Sequence, residues 1–232
     1  MQDLTAGRST DYREGERVRS VKFLHVGPYV DTTSPVEFVI AAFGLKAAAI
    51  AGRRGAGVIS FGLLDPGAWT AFDTSRREAA REAGQPEEVD SYVMTSLRVL
   101  DDGEDRHGDL ARDTMGHIAM ALLTFAADSP GFRETLEPEE AAAVQRLLDK
   151  RGTTATSSDR HDHLYRNYLG RIDPDDRELI LPSLVDELGL IGKREELLDR
   201  IAGMERAGVD EIVIQPVVDP ETEMAALADL MR

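Results

Sequence analysis

The chain of 232 residues contains no cysteine. Disulfides and thiolate metal sites are excluded with it. Aromatic residues make up only 6%, with a single tryptophan. No apolar run approaches the roughly 18–20 residues needed to cross a bilayer. The opening Met1-Gln2-Asp3-Leu4-Thr5 lacks the charged-then-apolar layout of a signal peptide. A cytoplasmic location is the expectation. Positive charge is also scarce: 27 Lys and Arg stand against 43 Asp and Glu, a net charge of −16. Such a surface repels DNA, RNA and anionic lipid, so neither a nucleic acid nor a membrane is expected as partner.

Several motifs are missing as well. No G-x-S-x-G elbow and no Ser-His-Asp constellation stands out. Gly52, Gly55 and Gly57 precede a strand instead of following one, so they read as a helix stop and strand entry, not as a dinucleotide fingerprint. Gly189-x-x-Gly192-Lys193 is too short for a P-loop and is followed by Arg194 where Ser or Thr is needed. His161 and His163 lie in a polar stretch with no clear third ligand, and His107 and His117 are ten residues apart. No metal site is expected. His25 follows an apolar stretch and reads as a structural histidine.

What the chain does have is size and alternation. Its length suits one large domain or two small ones, with a sizeable core. Residues 1–34 read as polar and loop-like, with one apolar stretch at 21–24. Pro35 then opens a strand over 36–42. A helix follows at Leu45 to Arg53, a strand at 57–62 and a helix from Trp69 to Ala83, stopped by Gly84 and Pro86. Ser91 to Leu100 reads as a third strand. Asp105 to Ala127 reads as a long helix carrying Leu110, Met115, Ile118, Leu122 and Phe125 on one side. Further helices are expected at Glu139 to Lys150 and Lys193 to Arg206. The latter has Leu197, Ile201 and Met204 as its core stripe and Gly208 as its cap. The polar 152–163 reads as loop and Tyr165 to Leu181 as short helices. Val209 to Val217 is the fourth strand. Asp219 and Pro220 begin the last helix as N-cap and first position.

Strands separated by helices imply a parallel sheet. The apolar runs Phe38–Ala42, Val58–Phe61 and Ile212–Ile214 suggest strands buried on both faces. Four such strands suit either a small doubly wound sheet or half of an eight-stranded barrel. The turn Ala42-Phe43-Gly44-Leu45-Lys46 is the main candidate site, because its amides and the following helix start can hold a phosphate. A tight βα connection with no ligand is the plainer alternative. Trp69 is expected to pack against the sheet.

The ordered set of motifs resembles the luciferase-like flavin-dependent oxidoreductases. Pro35 to Gly62, with Ala41-Ala42-Phe43-Gly44-Leu45-Lys46-Ala47 leading to Ala51-Gly52 and Gly57-Val58-Ile59, is similar to the family's fifth-to-sixth-strand unit. There the turn commonly reads Ala-Ala-Ser-Gly-Pro-Lys-Ala, so Phe43 and Leu45 replace Ser and Pro. Ile191-Gly192-Lys193-Arg194-Glu195-Glu196 and Ala207-Gly208-Val209-Asp210-Glu211-Ile212-Val213-Ile214-Gln215-Pro216 resemble its last helix and eighth strand. Gly7-Arg8-Ser9-Thr10-Asp11-Tyr12 resembles the segment ahead of strand five.

The resemblance implies α/β architecture of TIM-barrel type, with strands five to eight of a (β/α)8 barrel in one domain over 1–232. A full barrel typically needs about 250 residues, so the resemblance reads the domain as N-terminally truncated, with a helical insertion over 103–190. It implies FMN or a deazaflavin (coenzyme F-420) as cofactor. The activity implied is that of an oxidoreductase or monooxygenase transferring hydride to, or oxygenating, a small organic substrate. Ala42, Phe43, Gly44, Leu45 and Lys46 would hold the phosphate. Ser60, Phe61 and Gly62 would follow strand six at the same face, with Ser60 and Gly62 also binding the cofactor, and Gln215 and Pro216 would border the pocket. No catalytic residue is transferred, because the family's ring-flanking residues come largely from strands one to four. A half-barrel leaves open edges, so a homo-oligomer or a complementary barrel half is the expected partner, and a non-catalytic, self-associating half-barrel is the alternative function.

Overall fold

The computed structural model describes residues 1–24, 31–34, 36–151 and 158–232. His25 and Pro35 lie outside the described residues, as does the first half of the expected loop at 152–163; the second half is not all loop, because a short helix begins at Arg160. The chain starts with a short helix α1 (Gln2–Thr5) and a hairpin of β1 (Thr10–Glu14) and β2 (Arg17–Val21). Then come β3 (Val39–Ala41), α2 (Leu45–Arg53), β4 (Gly57–Phe61), α3 (Pro66–Glu82), β5 (Ser91–Thr95) and β6 (Leu97–Val99). A helical stretch follows: α4 (Asp109–Asp128), α5 (Pro130–Arg133), α6 (Pro138–Arg151), α7 (Arg160–Leu164), a 3-10 turn at Pro174–Leu179, and α8 (Pro182–Leu188). The chain returns through β7 (Leu190–Gly192), α9 (Arg194–Arg206), β8 (Glu211–Ile214) and α10 (Pro220–Leu230).

The main sheet runs β3-β4-β5-β8 with every pairing parallel. Its strand order follows chain order, as consecutive strands of a barrel do. The sheet's two faces differ. Ile40, Val58, Val93, Ile212 and Ile214 meet α2, α3, α9 and α10, in a core built around Trp69, Phe72, Leu197 and Met204. Trp69 packs there, as expected, and is fully buried. Alternation along each strand turns Val39, Ala41, Ile59, Phe61, Tyr92, Met94 and Val213 to the other face. No helix layer covers all of it: Val39 is 43% exposed, Ala41 is exposed, and Ile59, Tyr92 and Val213 are half-buried. At its C-terminal end, Phe61 and Met94 pack against the second core, formed by α4, α6 and α8. The strands are therefore buried along their length on one face, not on two, because on the other face helices cover only the C-terminal end.

Local sequence explains most element boundaries. The Asp65 carboxylate caps α3 by accepting from the Ala68 amide at 2.6 Å, with Pro66 at the first position. Asp219 caps α10 through the Thr222 amide at 3.2 Å, followed by Pro220. Gly208, at φ 93°, occupies the left-handed position that ends α9.

Five expectations need correction. Residues 10–21 are a hairpin, not a loop: Gly15, at φ 60° between the paired residues Glu14 and Arg17, makes the tight turn. The first main-sheet strand is only three residues, Val39–Ala41, and among the described residues its outer edge has no neighbour to extend the pairing. The stretch 91–100 is two strands broken at Ser96, and β6 pairs with β7, which was not expected. Leu110 is 44% exposed, since α4 begins at Asp109 and buries the Ala111, Met115 and Ile118 side instead. Gly52 does not stop α2; it lies inside the helix at the crossing with α3, where a Cβ would fall 2.0 Å from the Arg76 carbonyl oxygen.

Candidate cofactor-binding site

The C-terminal ends of the main strands lie side by side. The Ala42 amide donates to the Ile59 carbonyl at 2.9 Å, Gly62 to Met94 at 2.8 Å and Gln215 to Thr95 at 3.0 Å. In parallel α/β sheets this is the end where ligands bind.

The turn from β3 into α2 lies at this end of the sheet. Ala42 is fully buried and anchors the strand end. Gly44 caps the helix in extended backbone, and its carbonyl accepts from the Ala47 and Ala48 amides. Among the described residues, the amides of Gly44, Leu45 and Lys46 donate to no protein acceptor. A Cβ on Gly44 would meet nothing within 4 Å. Leu45 and Lys46 are exposed. Three unpaired amides, a nine-residue helix aimed at the same point and a nearby ammonium favour an anion there.

Beside the turn lies an aromatic stack that the sequence pattern did not reveal. The Phe43 ring is nearly parallel to Phe61 (centroids 5.3 Å apart, 8° between planes) and to Phe125 of α4 (5.3 Å, 11°). Phe125 in turn meets Phe132 at 5.1 Å. Phe43 is still 44% exposed, so the stack presents an open aromatic surface next to the anion-favouring amides. The replacement of serine by Phe43 thus joins the turn to α4.

The other expected residues are distributed unevenly. Phe61 lies in the stack. Ser60 points to the opposite, helix-covered face with Val58; it is 2% exposed and its hydroxyl has no partner among the described residues. Gly62, at φ 64°, is sealed beneath α8, where a Cβ would fall 2.9 Å from Leu188. Gln215 follows β8 directly: its Nε2 donates to the Leu169 carbonyl at 2.9 Å, while its buried Oε1 has no partner among the described residues. Pro216 is half-buried beside it. The structure therefore brings Ala42–Lys46 together with Phe61, and places Ser60 and Gly62 away from that opening.

Two further features flank the strand ends. Buried His117 of α4 approaches the Ser96 hydroxyl at 3.3 Å. Burial pulls its imidazole down to about 4, so it is neutral at neutral pH. An open cleft of about 1110 Å³ runs past Gly62 between α3, α8 and α9. Arg106 bridges Glu196 and Asp186 on its wall, and Arg200 donates to the Gly189 carbonyl at 2.6 Å. Burial raises the Glu187 carboxyl there, helped by the nearby negative charge of Glu140. Among the described residues no group of His, Asp or Glu is arranged to hold a metal, and His161 stacks on Tyr165 instead.

The comparisons with known proteins bear on this geometry. Residues 1–211 match the family described as luciferase-like monooxygenase. The chain belongs to that family. No curated protein matches it in sequence. Among solved structures it resembles an F-420-dependent secondary alcohol dehydrogenase in complex with an F-420–acetone adduct, at 14% identity and TM-score 0.55, covering 96% of this chain and 55% of that one. It also resembles a monooxygenase of Streptomyces bottropensis, at 18% identity and TM-score 0.51, covering 99% and 56%. A third likeness is to the oxygenating constituent of 3,6-diketocamphane monooxygenase of Pseudomonas putida in complex with FMN, at 16% identity and TM-score 0.48, covering 98% and 57%. The luciferase-like chain thus spans a little over half the length of these structures. Its parallel βα units are those of a partial TIM-type barrel.

Proposed function

We propose that this chain supplies the phosphate-holding half of a luciferase-like oxidoreductase that uses FMN or a deazaflavin. The observation that carries this reading is the turn 42–46: unpaired amides at a helix start, open space at Gly44, and an exposed aromatic ring alongside. A phosphate attached to a planar ring system satisfies both halves of that surface. Family membership and the F-420 complex of one structural relative support the same cofactor class. When bound, such a cofactor supplies hydride transfer or oxygen activation toward an organic substrate. The chain's own residues hold and orient it: Gly44, Leu45 and Lys46 receive the phosphate, and Phe43 and Phe61 offer the adjoining apolar surface. The helices over 103–190 act as an insertion that covers the strand ends, through Phe125 and Phe132. The working location is the cytoplasm.

The test is a fluorescence titration of the full chain with FMN, riboflavin and coenzyme F-420. The expected result is micromolar binding of FMN or F-420, with riboflavin at least about tenfold weaker than FMN because it lacks the phosphate. Absence of binding by both FMN and F-420 overturns the reading.

A second reading rests on a different observation, the partly uncovered sheet face with open edges at β3 and β8. On that reading the chain is a non-catalytic half-barrel that closes against a second copy or a separate complementary half. Light scattering distinguishes the two: a stable monomer that binds flavin excludes self-association as the working state.

A further inference from the structure

Residues 165–170 form an unusual strap beside the C-terminal end of β8. Among the described residues, Asn167 at φ 57° and Leu169 at φ 56° are the only non-glycine residues in the left-handed region. Leucine has no local polar group to favour that conformation, so its neighbours must hold it there. The Gly170 amide donates to the Asn167 carbonyl at 2.9 Å, Asn167 Nδ2 donates to Asp173 at 3.2 Å, and Gln215 Nε2 donates to the Leu169 carbonyl at 2.9 Å. Tyr168, between the two strained residues, is 44% exposed and packs edge-on against Tyr165.

The bond from Gln215 settles the orientation of its carboxamide. The Leu169 carbonyl can only accept, and the nitrogen is the only donor of a carboxamide, so Nε2 faces Leu169 and Oε1 faces elsewhere. That oxygen is buried and, among the described residues, has no partner. A buried acceptor left unmatched is costly, and such groups call for an explanation. One of the two N–H groups of Gln215 holds the strap, and the carbonyl oxygen is left as an acceptor at the ligand-binding end of the sheet.

The placement relates to the turn 42–46. Gln215 follows β8 and the turn follows β3, at opposite margins of a four-stranded sheet. Three strand spacings separate them by about 14 Å. A cofactor held by its phosphate at one margin and extended across the strand ends would bring the far edge of its ring system toward the other. In flavins and deazaflavins alike that edge is an imide, with one N–H donor between two carbonyls. Gln215 Oε1 is an acceptor without a donor, and the imide N–H is its chemical complement.

We propose that Gln215 recognises the imide N–H of the flavin-type ring, and that the strained strap at Tyr165–Gly170 exists to hold its carboxamide in that orientation. The inference rests on the cofactor reading above. It makes Gln215 a binding residue for either cofactor and Leu169 a positioning residue.

The experiment compares FMN with 3-methyl-FMN, which keeps the phosphate and the ring but has a methyl group in place of the imide hydrogen. Coenzyme F-420 is titrated in parallel. All three ligands are followed by fluorescence against the wild-type chain, Gln215→Leu and Gln215→Glu. The expected result is about tenfold tighter binding of FMN than of 3-methyl-FMN by the wild type. Gln215→Leu should lose that preference, and Gln215→Glu, which keeps an acceptor, should retain part of it. F-420, where it binds, should weaken by a similar factor in Gln215→Leu. Equal binding of the two flavins by the wild type overturns the proposal, and so does an unchanged preference in Gln215→Leu. The wild-type comparison stands even where a variant misfolds. Failure of the wild type to bind FMN, 3-methyl-FMN and F-420 has a different signature: it removes the cofactor reading, and the role of Gln215 with it.

Discussion

The two faces of the main sheet are built from the same strands with similar residues, yet only one is a finished interior. Val58 and Val93 on the helix side are fully buried, whereas Val39 on the other side is 43% exposed. The difference lies in what covers each face. On the helix side, α2 and α3 approach so closely that Gly52 has no room for a Cβ, and Trp69 fills the space beneath them. On the other side only the end nearest the turn is covered, by α4. A valine in a parallel strand therefore contributes to stability only where a second layer excludes water from it.

The sharpest way to break this contrast is to empty the covered face. Trp69→Ala should cost about 3–5 kcal/mol of stability, read as a lower denaturant midpoint with little change in slope. A response near that of an ordinary surface substitution would mean the helix layer is not the dominant core.

Acid tests the second core, beneath α4. The His117 imidazole falls from 6.5 to about 4 on burial. The folded state thus holds its proton less well than the unfolded chain. Stability from this group is complete above about pH 6.5, declines as pH falls, and is lost by about pH 4, a total of about 3 kcal/mol. Urea titrations across that range should show the loss in the wild type and a shallower slope in His117→Gln. Parallel curves would exclude His117 as the cause.

Gly52→Ala should cost about 1–3 kcal/mol, because the new methyl group meets the Arg76 carbonyl and forces α2 and α3 apart. Helix propensity alone would make the same change stabilising, so the sign of the shift decides between the two effects.

The smallest effect belongs to the open face. Val39→Ser should change stability by about 0.5 kcal/mol or less in the isolated chain, as surface substitutions do. A cost several times larger, appearing only at high protein concentration, would indicate that this face is covered by another copy.

The helices and the βα alternation were legible because they depend on local signals. Pro66, Asp65, Asp219, Pro220 and Gly208 mark boundaries through single-residue chemistry, and α2 follows the sequence expectation at Leu45–Arg53. The hairpin at 10–21 was legible in principle: Glu14-Gly15-Glu16-Arg17 is a turn signal, but its strands carry no apolar face to announce them. The β6–β7 pair was less so, since Leu190–Gly192 is three residues long and finds its partner about ninety residues earlier. Within the site, the turn 42–46 could be located from its small residues and position. The stack of Phe43, Phe61, Phe125 and Phe132 could not, because it joins three separated segments. Neither could the orientation of Gln215, which depends on a carbonyl 46 residues away.

By itself the sequence determined that this is an α/β chain of parallel βα units, without disulfides, strongly acidic, with a tight turn between the first strand and helix of its main sheet. Composition, periodicity and capping are local properties, and local properties dictate elements and their order. Tertiary structure alone decided which strand face is covered, why Gly52 must be glycine, which candidate residues face the opening and which face away, and where a buried acceptor is left unmatched. Those outcomes depend on contacts between residues distant in the chain, and no local pattern encodes which of two chemically similar faces a helix will cover.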